Sequence, residues 1–481
     1  MCPTGQTWCD TSCTDVTTDG ANCGNCGVTC PTGQSCEAGT CVGGVVGTGG
    51  AAGTGGAAAG GATSSTCAGT TFTIDSSLST TIASVGIVDW STSTPITTAT
   101  IDFGRDPNDF EYHAPVDSAD AASHRTLLLG MKPNQTYSFQ IAVTTGDGST
   151  CRSAVQQLTT GDIKNGLPTI GVETPQPDAV YPGFTLACQY RPGGTTGAWT
   201  FILDRDAEIV WWYQSRENTA CNRARMSMDG QYLWIGNGNN NSSSGTLSRV
   251  LMDGTGEQPY DVPIRHHDFA VLPDDKLVYL EYASSPSMSN EGCDLVKQLD
   301  PDTGETSVIF EVASANPAQA NGCHSNAVNW WPDKDLFTVS VLNWDSIIAF
   351  RRTGELEWVF GGQASDFTGA TWDRQHQHHL LEDSILLFNN NGTRGSSVLE
   401  YKINGTTAEL VLDYASGLST QTLGDAKRLP NGNTLATYSN NGVIHEFDPA
   451  GELVRSITVG DGIGYSQRRS SLYGPPPPYA E

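Results

Sequence analysis

Residues 347–361 read IIAFRRTGELEWVFG, and this stretch decides the fold. Two short apolar runs flank a polar turn at Gly354, which is the pattern of a β-hairpin. The pattern recurs five more times, at intervals of 46 to 51 residues. Its other turns centre on Ala207, Gly256, Gly304, Gly405 and Gly451. A second kind of hairpin, such as LPNGNTLATYS at 429–439, lies between successive turns. Two hairpins per period make a four-stranded blade, so six periods predict a six-bladed β-propeller.

The rest of the chain extends this prediction to an all-β protein with several parts. We expect a Cys-rich disulfide knot at 1–41, a Gly/Ala/Thr linker at 42–66 and a small β-sandwich at 67–162. The propeller follows at 163–474, and a Pro-rich tail closes the chain at 475–481. The linker composition cannot form a core, whereas the sandwich region alternates apolar and polar residues between turns.

Composition narrows the classes of function. The 481 residues include 52 acidic and 25 basic side chains, for a formal net charge of −27. Nucleic-acid binding through the phosphate backbone needs Lys and Arg, so this charge argues against a nucleic-acid partner. Docking to an anionic membrane is disfavoured for the same reason. No apolar run is long enough to predict a transmembrane helix.

The 14 cysteines indicate an oxidising compartment. Eight of them fall in the first 41 residues and predict a disulfide knot; they are Cys2, Cys9, Cys13, Cys23, Cys26, Cys30, Cys36 and Cys41. Among the other six we expect the pairs Cys67–Cys151, Cys188–Cys221 and Cys293–Cys323. A zinc site at the Cys23-x-x-Cys26 spacing is the alternative reading of the knot.

The expected location is outside the cytoplasm, as a secreted, periplasmic or cell-surface lipoprotein. No signal-peptide pattern follows Met1, so we expect either a removed leader or another export route. The Cys-rich head and linker resemble the N-terminal stalks of secreted bacterial surface proteins. We interpret them as a spacer for surface attachment, with binding of a protein partner as the alternative.

Histidines recur at one place in the predicted blades. Six of the nine histidines lie at the start of the second hairpin type; they are His266, His267, His324, His376, His378 and His379. The first strand of each blade lines the central channel, so these side chains should converge on the axis. Asn and Arg accompany them and carboxylates are few, which favours an anion over a metal as ligand.

These residues carry a resemblance to the bacterial arylsulfotransferases. The similar stretches include His266-His267-Asp268-Phe269, His324-Ser-Asn326, and Gln375-His376 leading to Leu386-Leu-Phe388-Asn-Asn-Asn391-Gly392. The segment Leu129 to Phe139 resembles the fibronectin type III pattern, and an immunoglobulin-like domain before the propeller also fits the family.

The resemblance implies a transfer of a sulfuryl group from an aryl sulfate to a phenol, with no cofactor and no activated sulfate nucleotide. By motif, His376 matches the family's nucleophile, which would form a sulfohistidine. His324 and Asn326 match its His-x-Asn pair, which would bind sulfuryl oxygens and assist proton transfer. His267, with His266 as the lesser choice, matches the histidine of the earlier blade.

Two departures bear on this implication. The family's active-site arginine is replaced here by Leu342 or Asn343, so Arg394, Arg374 or Arg223 would have to supply the charge. The sequence QHQHH (375–379) leaves the nucleophile ambiguous, because alternation puts His376 and His378 on one strand face and His379 on the other. Trp344 is the expected aromatic neighbour of an aryl substrate. The other expected substrate contacts are His266, His378, Arg374 and Arg394.

Two alternatives stay open. One is a non-catalytic extracellular propeller with a binding or structural role, favoured by the stalk, the sandwich and the missing arginine. The other is a metal-dependent enzyme whose channel ligands would be His267, His324, His376 and His378. The oligomeric state and the identities of donor and acceptor are not indicated by the sequence.

Overall fold

The fold is built almost entirely from antiparallel β-sheets, and the computed structural model defines most of them in detail. It describes residues 7–9, 12–19, 21–23, 35–37, 40–42, 61–63, 67, 69–116, 122–190, 197–215, 220–237, 245–282 and 292–474. Within these ranges the only helices are short 3₁₀ turns, at Pro177–Ala179, Val312–Ala315, Pro317–Gln319, Leu342–Trp344 and Ser439–Asn441. None of the helices in the described ranges has the length and apolarity to cross a membrane.

The first compact unit, residues 1–57, contains two small hairpins. They pair β1 (Thr7–Cys9) with β2 (Ser12–Thr14), and β3 (Ser35–Glu37) with β4 (Thr40–Val42). Cys23 is bonded to Cys36, so Cys23 is not available to the zinc site that the Cys23-x-x-Cys26 spacing suggested. Cys2, Cys26 and Cys30 of the predicted knot lie outside the described residues. So do most of the linker and the Pro-rich tail.

The second unit, residues 58–481, begins with a sandwich of two sheets. Its strands are β5 (Gly61–Thr63), β6 (Phe72–Leu78), β7 (Gly86–Thr92), β8 (Ile96–Gly104), β9 (Tyr112–Pro115), β10 (His124–Leu128), β11 (Thr136–Thr145), β12 (Thr150–Arg152) and β13 (Gln156–Thr159). One sheet has the order β10-β7-β6-β5; the other has the order β12-β11-β8-β9, with β13 also on β11.

Alternating apolar residues of both sheets form the sandwich core, which includes the buried Trp90 and Phe103. The hydroxyl of the buried Tyr137 accepts a hydrogen bond from the Lys132 backbone N–H at 2.9 Å. This link between a strand and the turn before it is the tyrosine corner of immunoglobulin-like sandwiches. Cys67 is bonded to Cys151, which ties the start of the domain to β12.

Six further sheets follow, and each is one blade of the propeller. An extra strand, β14 (Ile170–Glu173), comes before them. Blade 1 contains β15 (Phe184–Cys188), β16 (Trp199–Leu203) and β17 (Ile209–Gln214). Blade 2 contains β18 (Cys221–Met226), β19 (Tyr232–Asn237), β20 (Thr246–Leu251) and β21 (Glu257–Asp261). Blade 3 contains β22 (Arg265–Val271), β23 (Leu277–Glu281), β24 (Leu295–Leu299) and β25 (Thr306–Glu311).

The last three blades repeat this order. Blade 4 contains β26 (Ser325–Trp331), β27 (Leu336–Val341), β28 (Ser346–Arg351) and β29 (Leu356–Phe360). Blade 5 contains β30 (Gln375–Leu380), β31 (Ser384–Asn389), β32 (Ser397–Asn404) and β33 (Thr407–Ala415). Blade 6 contains β34 (Asp425–Arg428), β35 (Thr434–Tyr438), β36 (Val443–Phe447) and β37 (Leu453–Val459). The all-β propeller predicted from the hairpin period is thereby confirmed.

The ring is closed at both ends of the propeller chain. The last strand, β38 (Gln467–Arg469), pairs with β15 and supplies the inner strand of blade 1. At the other end, β14 adds an outer strand to blade 6 by pairing with β37. A buried carboxylate joins the two closures, because Glu446 accepts from the Tyr181 N–H at 2.6 Å and pairs with Arg468 at 3.4 Å.

Burial decreases from the channel outward. All seven residues of β22 and all seven of β26 are buried, whereas most of the outer strands β25 and β33 are partly or fully exposed. The inner strands nevertheless carry many polar residues, such as RHHD at the start of β22. Buried polar groups need hydrogen-bond partners, so these side chains must satisfy one another across the axis.

Disulfides cross-link neighbouring blades. Cys188 at the end of β15 is bonded to Cys221 at the start of β18, and Cys293 is bonded to Cys323. Together with Cys67–Cys151, these are the three pairs expected from the sequence. Closing loops of 33 and 30 residues contributes roughly 3.7 kcal/mol each in the chain-entropy account.

The sandwich packs against the propeller through a continuous core. Ile82 and Leu129 of the sandwich belong to the same buried cluster as Val210 of blade 1. The Ser84 hydroxyl donates to the Val210 carbonyl at 2.7 Å. The Tyr473 hydroxyl donates to the Leu127 carbonyl at 3.0 Å, which ties the C-terminal end of the propeller to the sandwich.

Candidate active site

The entrances of the inner strands share an unusual backbone conformation. In blades 3 to 6 a residue other than glycine has a positive φ at this place: His267 (52°), His324 (54°), Arg374 (61°) and Leu423 (58°). In blades 2 to 5 the inner strand also shifts its register against the next strand at this level. Left-handed residues other than glycine cost about 1–2 kcal/mol each, and such strain is concentrated at functional sites.

This backbone brings histidines from three blades together. The histidine cluster consists of His266, His267, His324 and His376. The ring of His267 lies at its centre, 4.9 Å from His324, 6.0 Å from His376 and 5.2 Å from His266 between centroids. The convergence expected from the repeated position is therefore present for these four residues.

His376 is held in one tautomer by Asn390. The two atoms in contact are His376 Nδ1 and Asn390 Oδ1, at 2.6 Å. Asn390 Nδ2 donates to the carbonyls of Thr420 and Leu423, both at 2.8 Å, so its oxygen must accept from the histidine. His376 Nδ1 therefore carries the proton and Nε2 carries the lone pair. Among the described residues nothing hydrogen-bonds to His376 Nε2.

Arg374 and His324 are the two side chains whose charges lower the pKa of His376. Arg374 is exposed, and its backbone N–H donates to Asp345 Oδ1 at 2.6 Å. Within the described part of the chain its guanidinium forms no ion pair. Burial and the charge of Arg374 lower the pKa of His324 to about 4. Burial also lowers the pKa of His376 to about 3, with His324 and Arg374 acting in the same direction against the Asn390 hydrogen bond.

His266 lies behind His267 rather than at the channel surface. It is fully buried and stacks on the Tyr282 ring at 3.8 Å. Its Nδ1 is 2.9 Å from His267 Nδ1, and its Nε2 is 3.6 Å from Asp294 Oδ1. Burial lowers the pKa of both histidines well below the usual value, whereas burial raises the pKa of Asp294 to about 6. The structure therefore places His266 behind His267, and its predicted contact with the substrate stays a prediction.

Gln375 and Asn326 form hydrogen bonds that fix the start of the strand carrying His376. Gln375 Nε2 donates to Ser340 Oγ at 2.9 Å, and its Oε1 accepts from Trp372. Asn326 Nδ2 donates to the Gln375 carbonyl at 2.7 Å, and Asn326 Oδ1 is buried. Asn326 therefore positions the strand that carries His376, and one of its amide hydrogens is not available to a sulfuryl oxygen.

His378 and His379 lie outside the cluster. His378 Nε2 is 2.6 Å from Thr338 Oγ1, and its carbonyl accepts from Lys427. His379 stacks on Trp331 and accepts from the Arg428 N–H. The expectation that His376 and His378 share a face is wrong, because the register shift between Gln375 and His378 interrupts the alternation. This also removes His378 from the predicted substrate contacts.

A buried ionic network fills the channel wall beside the cluster. Arg223 donates to Asp268 at 3.0 Å and to Asp425 at 3.1 Å, and its guanidinium lies over the Tyr465 ring. Asp268 also accepts from Gln377 and from the Val328 N–H, so it joins four blades. The charge of Arg223 is thus compensated inside the wall. Arg265 acts on His266 and His267 but is buried, so Arg374 is the exposed cation that acts on His324 and His376.

Two other predicted contacts lie elsewhere. Trp344 is 5 % exposed and packs in the core of blades 3 and 4, so it does not line a substrate pocket as predicted. Arg394 pairs with Asp413 at 2.9 Å and lines a separate cleft of about 370 Å³ on blade 5. At the position of the family arginine, Leu342 is buried and Asn343 donates to the Gly322 carbonyl.

Asn390, Asp294 and Tyr282 belong to the site but were not predicted from the sequence. Asn390 was visible within the Asn-Asn-Asn391-Gly392 turn, but nothing marked it as the partner of a histidine 14 residues earlier. In the described part of the chain, no three side chains of His, Cys, Asp and Glu are arranged to hold a metal ion. His267, His324 and His376 supply hydrogen-bonding ring nitrogens to the site, and Arg374 adds a positive charge.

Comparisons with known proteins agree with this description in one region. Residues 296–460, about a third of the chain, match the family model described as arylsulfotransferase (ASST). This range contains His324, Arg374, His376 and Asn390. No curated protein matches the chain by sequence comparison.

Solved structures show distant likeness. TolB from Acinetobacter baumannii is 10% identical, with a TM-score of 0.43, over 70% of this chain and 80% of that one. A virginiamycin B lyase from Staphylococcus aureus is 10% identical, with a TM-score of 0.35, over 70% of this chain and 94% of the lyase. A protein of unknown function from Bacteroides caccae is 13% identical, with a TM-score of 0.40, over 58% and 94%. Likenesses at this level carry no argument about function.

Proposed function

We propose that this protein is an exported aryl-sulfate sulfotransferase-like enzyme that transfers a sulfuryl group from an aryl sulfate to a phenol. The observation that carries the proposal is the fixed tautomer of His376, which leaves Nε2 unprotonated. The His267 ring is 6.0 Å away between centroids, and the charges of His324 and Arg374 help to lower the pKa of His376. The arylsulfotransferase match across this region supports the class of reaction. The disulfides of the sandwich and propeller support an oxidising compartment.

In the first half-reaction His376 Nε2 attacks the sulfur of the donor. The bond between sulfur and the aryl oxygen breaks, and the electron pair leaves with the phenolate, which takes a proton from a neighbouring histidine. The proton stays on His376 Nδ1, which donates it to the Asn390 oxygen, so the product is a sulfohistidine with a defined tautomer. A low pKa helps here because the imidazole is neutral, and therefore nucleophilic, throughout the neutral pH range.

In the second half-reaction the oxygen of an acceptor phenol attacks the same sulfur. The bond between sulfur and His376 Nε2 breaks, its electron pair returns to the ring, and the phenol proton passes to the neighbouring histidine. The enzyme is then back in its starting state. The reaction is a ping-pong exchange that needs no cofactor.

Arg374 is the group that we assign to the sulfuryl oxygens. A charge-assisted hydrogen bond contributes about 1.5–3 kcal/mol, and a guanidinium can donate two in parallel to one sulfuryl group. Arg374 directly precedes β30 in blade 5, whereas the family arginine would lie at Leu342 or Asn343 in blade 4. Arg374 would therefore supply the same charge from a neighbouring blade. The negative donor also raises the pKa of His324 and His267 by charge attraction, which prepares a proton donor in the complex.

The test is turnover of 4-nitrophenyl sulfate with and without a phenol acceptor. We expect acceptor-dependent release of 4-nitrophenol by the wild type and loss of at least about 10³-fold in His376→Ala, since the nucleophile is missing. His113→Gln is the matched control, because this histidine lies on the sandwich and pairs with Asp102. Mass spectrometry at alkaline pH should find one added SO₃ group on a peptide containing His376.

The other readings are outcomes of the same experiment. A folded protein with no turnover between about pH 5 and 9, and no bound metal by elemental analysis, would favour the non-catalytic propeller. Turnover that follows metal content, and that chelation abolishes and added metal restores in the wild type, would favour a metal enzyme. In either case the sandwich and stalk become the candidates for binding a surface or protein partner.

A further inference from the structure

We propose that Asp294, His266 and His267 form a proton relay that supplies and takes back the proton exchanged with the phenols. The inference rests on the proposed function, because it names the route by which that site handles its proton. His267 is the residue that contacts the reacting groups, and Asp294 and His266 are positioning residues that act through it.

The relay is a row of three side chains leading from the cluster into blade 3. His267 Nδ1 is 2.9 Å from His266 Nδ1, and His266 Nε2 is 3.6 Å from Asp294 Oδ1. The second distance is about 0.4 Å longer than a hydrogen bond. Such contacts are often long in a free enzyme and shorten when the substrate binds.

The His266 ring is enclosed, and its outer nitrogen, Nε2, lies near Asp294. The ring is fully buried and clamped parallel to Tyr282 at 3.8 Å, with 8° between the planes. Its Nε2 is buried and has no hydrogen-bond partner within the described residues. An unpaired buried polar atom costs about 1–3 kcal/mol, so a structural histidine here would be a net burden. Asp294 is 4 % exposed, and its other oxygen accepts from the Ser325 N–H.

The contact between the two Nδ1 atoms couples the tautomers. One proton lies between them, so if one imidazole is neutral and donates, the other must accept. With Asp294 ionised, His266 places its proton on Nε2 toward the carboxylate and accepts at Nδ1. His267 then carries its proton on Nδ1, and its Nε2 is a base.

With one more proton the row reverses. Asp294 is then a carboxylic acid that donates to His266 Nε2, His266 donates from Nδ1 to His267 Nδ1, and His267 Nε2 carries a proton. This state gives that proton to the leaving phenolate and returns to the first state. When the acceptor phenol attacks, His267 Nε2 takes the phenol proton and the row reverses again, so the protons balance over one cycle.

The titration properties fit a relay that ends on a carboxylate. Burial, together with His324, Arg265 and the neighbouring ring, keeps the pKa of His266 and His267 well below the usual value, so neither ring holds a charge easily. Burial raises the pKa of Asp294 to about 6 against the hydrogen bonds from Ser325. A proton delivered to the row is therefore stored on the carboxyl group while both imidazoles stay neutral.

The first test compares donors with good and poor leaving groups in Asp294→Asn. The amide can still accept from His266 Nε2 but cannot store a proton. We expect kcat/KM to fall about 10²-fold or more with phenyl sulfate and less than about 3-fold with 4-nitrophenyl sulfate, whose phenolate leaves without protonation. Asp302→Asn, an exposed carboxylate in the same blade, is the matched control. Equal losses with both donors would mean a structural role and overturn the relay.

The second test does not need turnover. Nitrogen NMR of ¹⁵N-histidine-labelled protein at pH 8 should show the proton of His266 on Nε2 and that of His267 on Nδ1. The opposite tautomers would overturn the relay even if the enzyme transfers sulfuryl groups. Conversely, a wild type without turnover but with these tautomers, reversing as the pH falls through about 6, would contradict the proposed function and support the relay.

Discussion

At the level of single residues, the contact between His376 and Asn390 determines what the site can do. An isolated imidazole exchanges its proton between two nitrogens, and only one of the tautomers leaves Nε2 as a nucleophile. Asn390 selects that tautomer because both its amide hydrogens are used by the carbonyls of Thr420 and Leu423. A neutral side chain therefore does here what a carboxylate does in a catalytic triad, without raising the pKa of the ring as strongly.

Asn390→Ala tests this reading. We expect kcat/KM for aryl sulfate turnover to fall about 10²-fold, because His376 loses the acceptor that keeps its proton on Nδ1. The measurement is steady-state kinetics, and the control is Asn391→Ala, an exposed neighbour that pairs with Asp373. Unchanged kinetics in Asn390→Ala, with unchanged folding, would show that the tautomer does not limit the reaction.

At the level of elements, the inner strands combine a regular sheet with an irregular entrance. In blades 3 to 5 the inner strand runs in register with its neighbour along the blade and shifts only at the level of the cluster. A regular strand would send successive side chains to opposite faces and bury half of these histidines inside a blade. The shift and the left-handed residue let His267 and His324 turn toward the axis instead.

Gly424, at the entrance of β34, occupies a position where a residue with a Cβ atom would clash. Its φ is 110°, and an added Cβ would overlap the fully buried ring of Phe388. We expect Gly424→Ala to lower the free energy of unfolding by about 2–4 kcal/mol in urea titrations. Gly171→Ala is the control, because its Cβ would meet only ordinary contacts on β14. Equal midpoints for the two variants would contradict the argument.

At the level of the whole molecule, the propeller buries histidines that would titrate near pH 6.5 in water. Six histidines have a pKa below the usual value, and burial is the largest cause for each: His266, His267, His324, His376, His378 and His445. In the unfolded chain they titrate near 6.5. Between about pH 6.5 and 4 the unfolded state therefore binds more protons than the folded state.

The free energy of unfolding should therefore decrease as the pH is lowered. The lowered pKa values of these histidines stabilise the folded state fully above about pH 6.5, and this stabilisation is lost as the pH falls toward 4. The raised pKa of Asp294 has a weaker effect in the opposite direction. We expect the urea midpoint to be clearly lower at pH 5 than at pH 7.5. In His376→Gln the slope of the unfolding free energy should be smaller by up to about 1.4 kcal/mol per pH unit, because one titrating group is removed. A midpoint independent of pH would contradict the burial of these histidines as neutral rings.

Periodicity was enough to predict the architecture. Hairpins spaced 46 to 51 residues apart bury one core per period, so the blades follow from local pattern alone. The same period put His267, His324 and His376 at one place in three blades, and a closed ring must bring such positions together. The disulfide pairs expected in the sandwich and propeller are present in the structure, although a sequence by itself does not fix connectivity.

Tertiary structure alone decided which histidine does what. His376 and His378 are two residues apart and equal by alternation, yet one contacts Asn390 and the other Thr338, because the strand shifts register between Gln375 and His378. The partners that set proton positions, Asn390 and Asp294, come from turns and strands with no sequence signal of their own. Tautomers and pKa values depend on hydrogen bonds and burial across blades, and a local pattern contains neither.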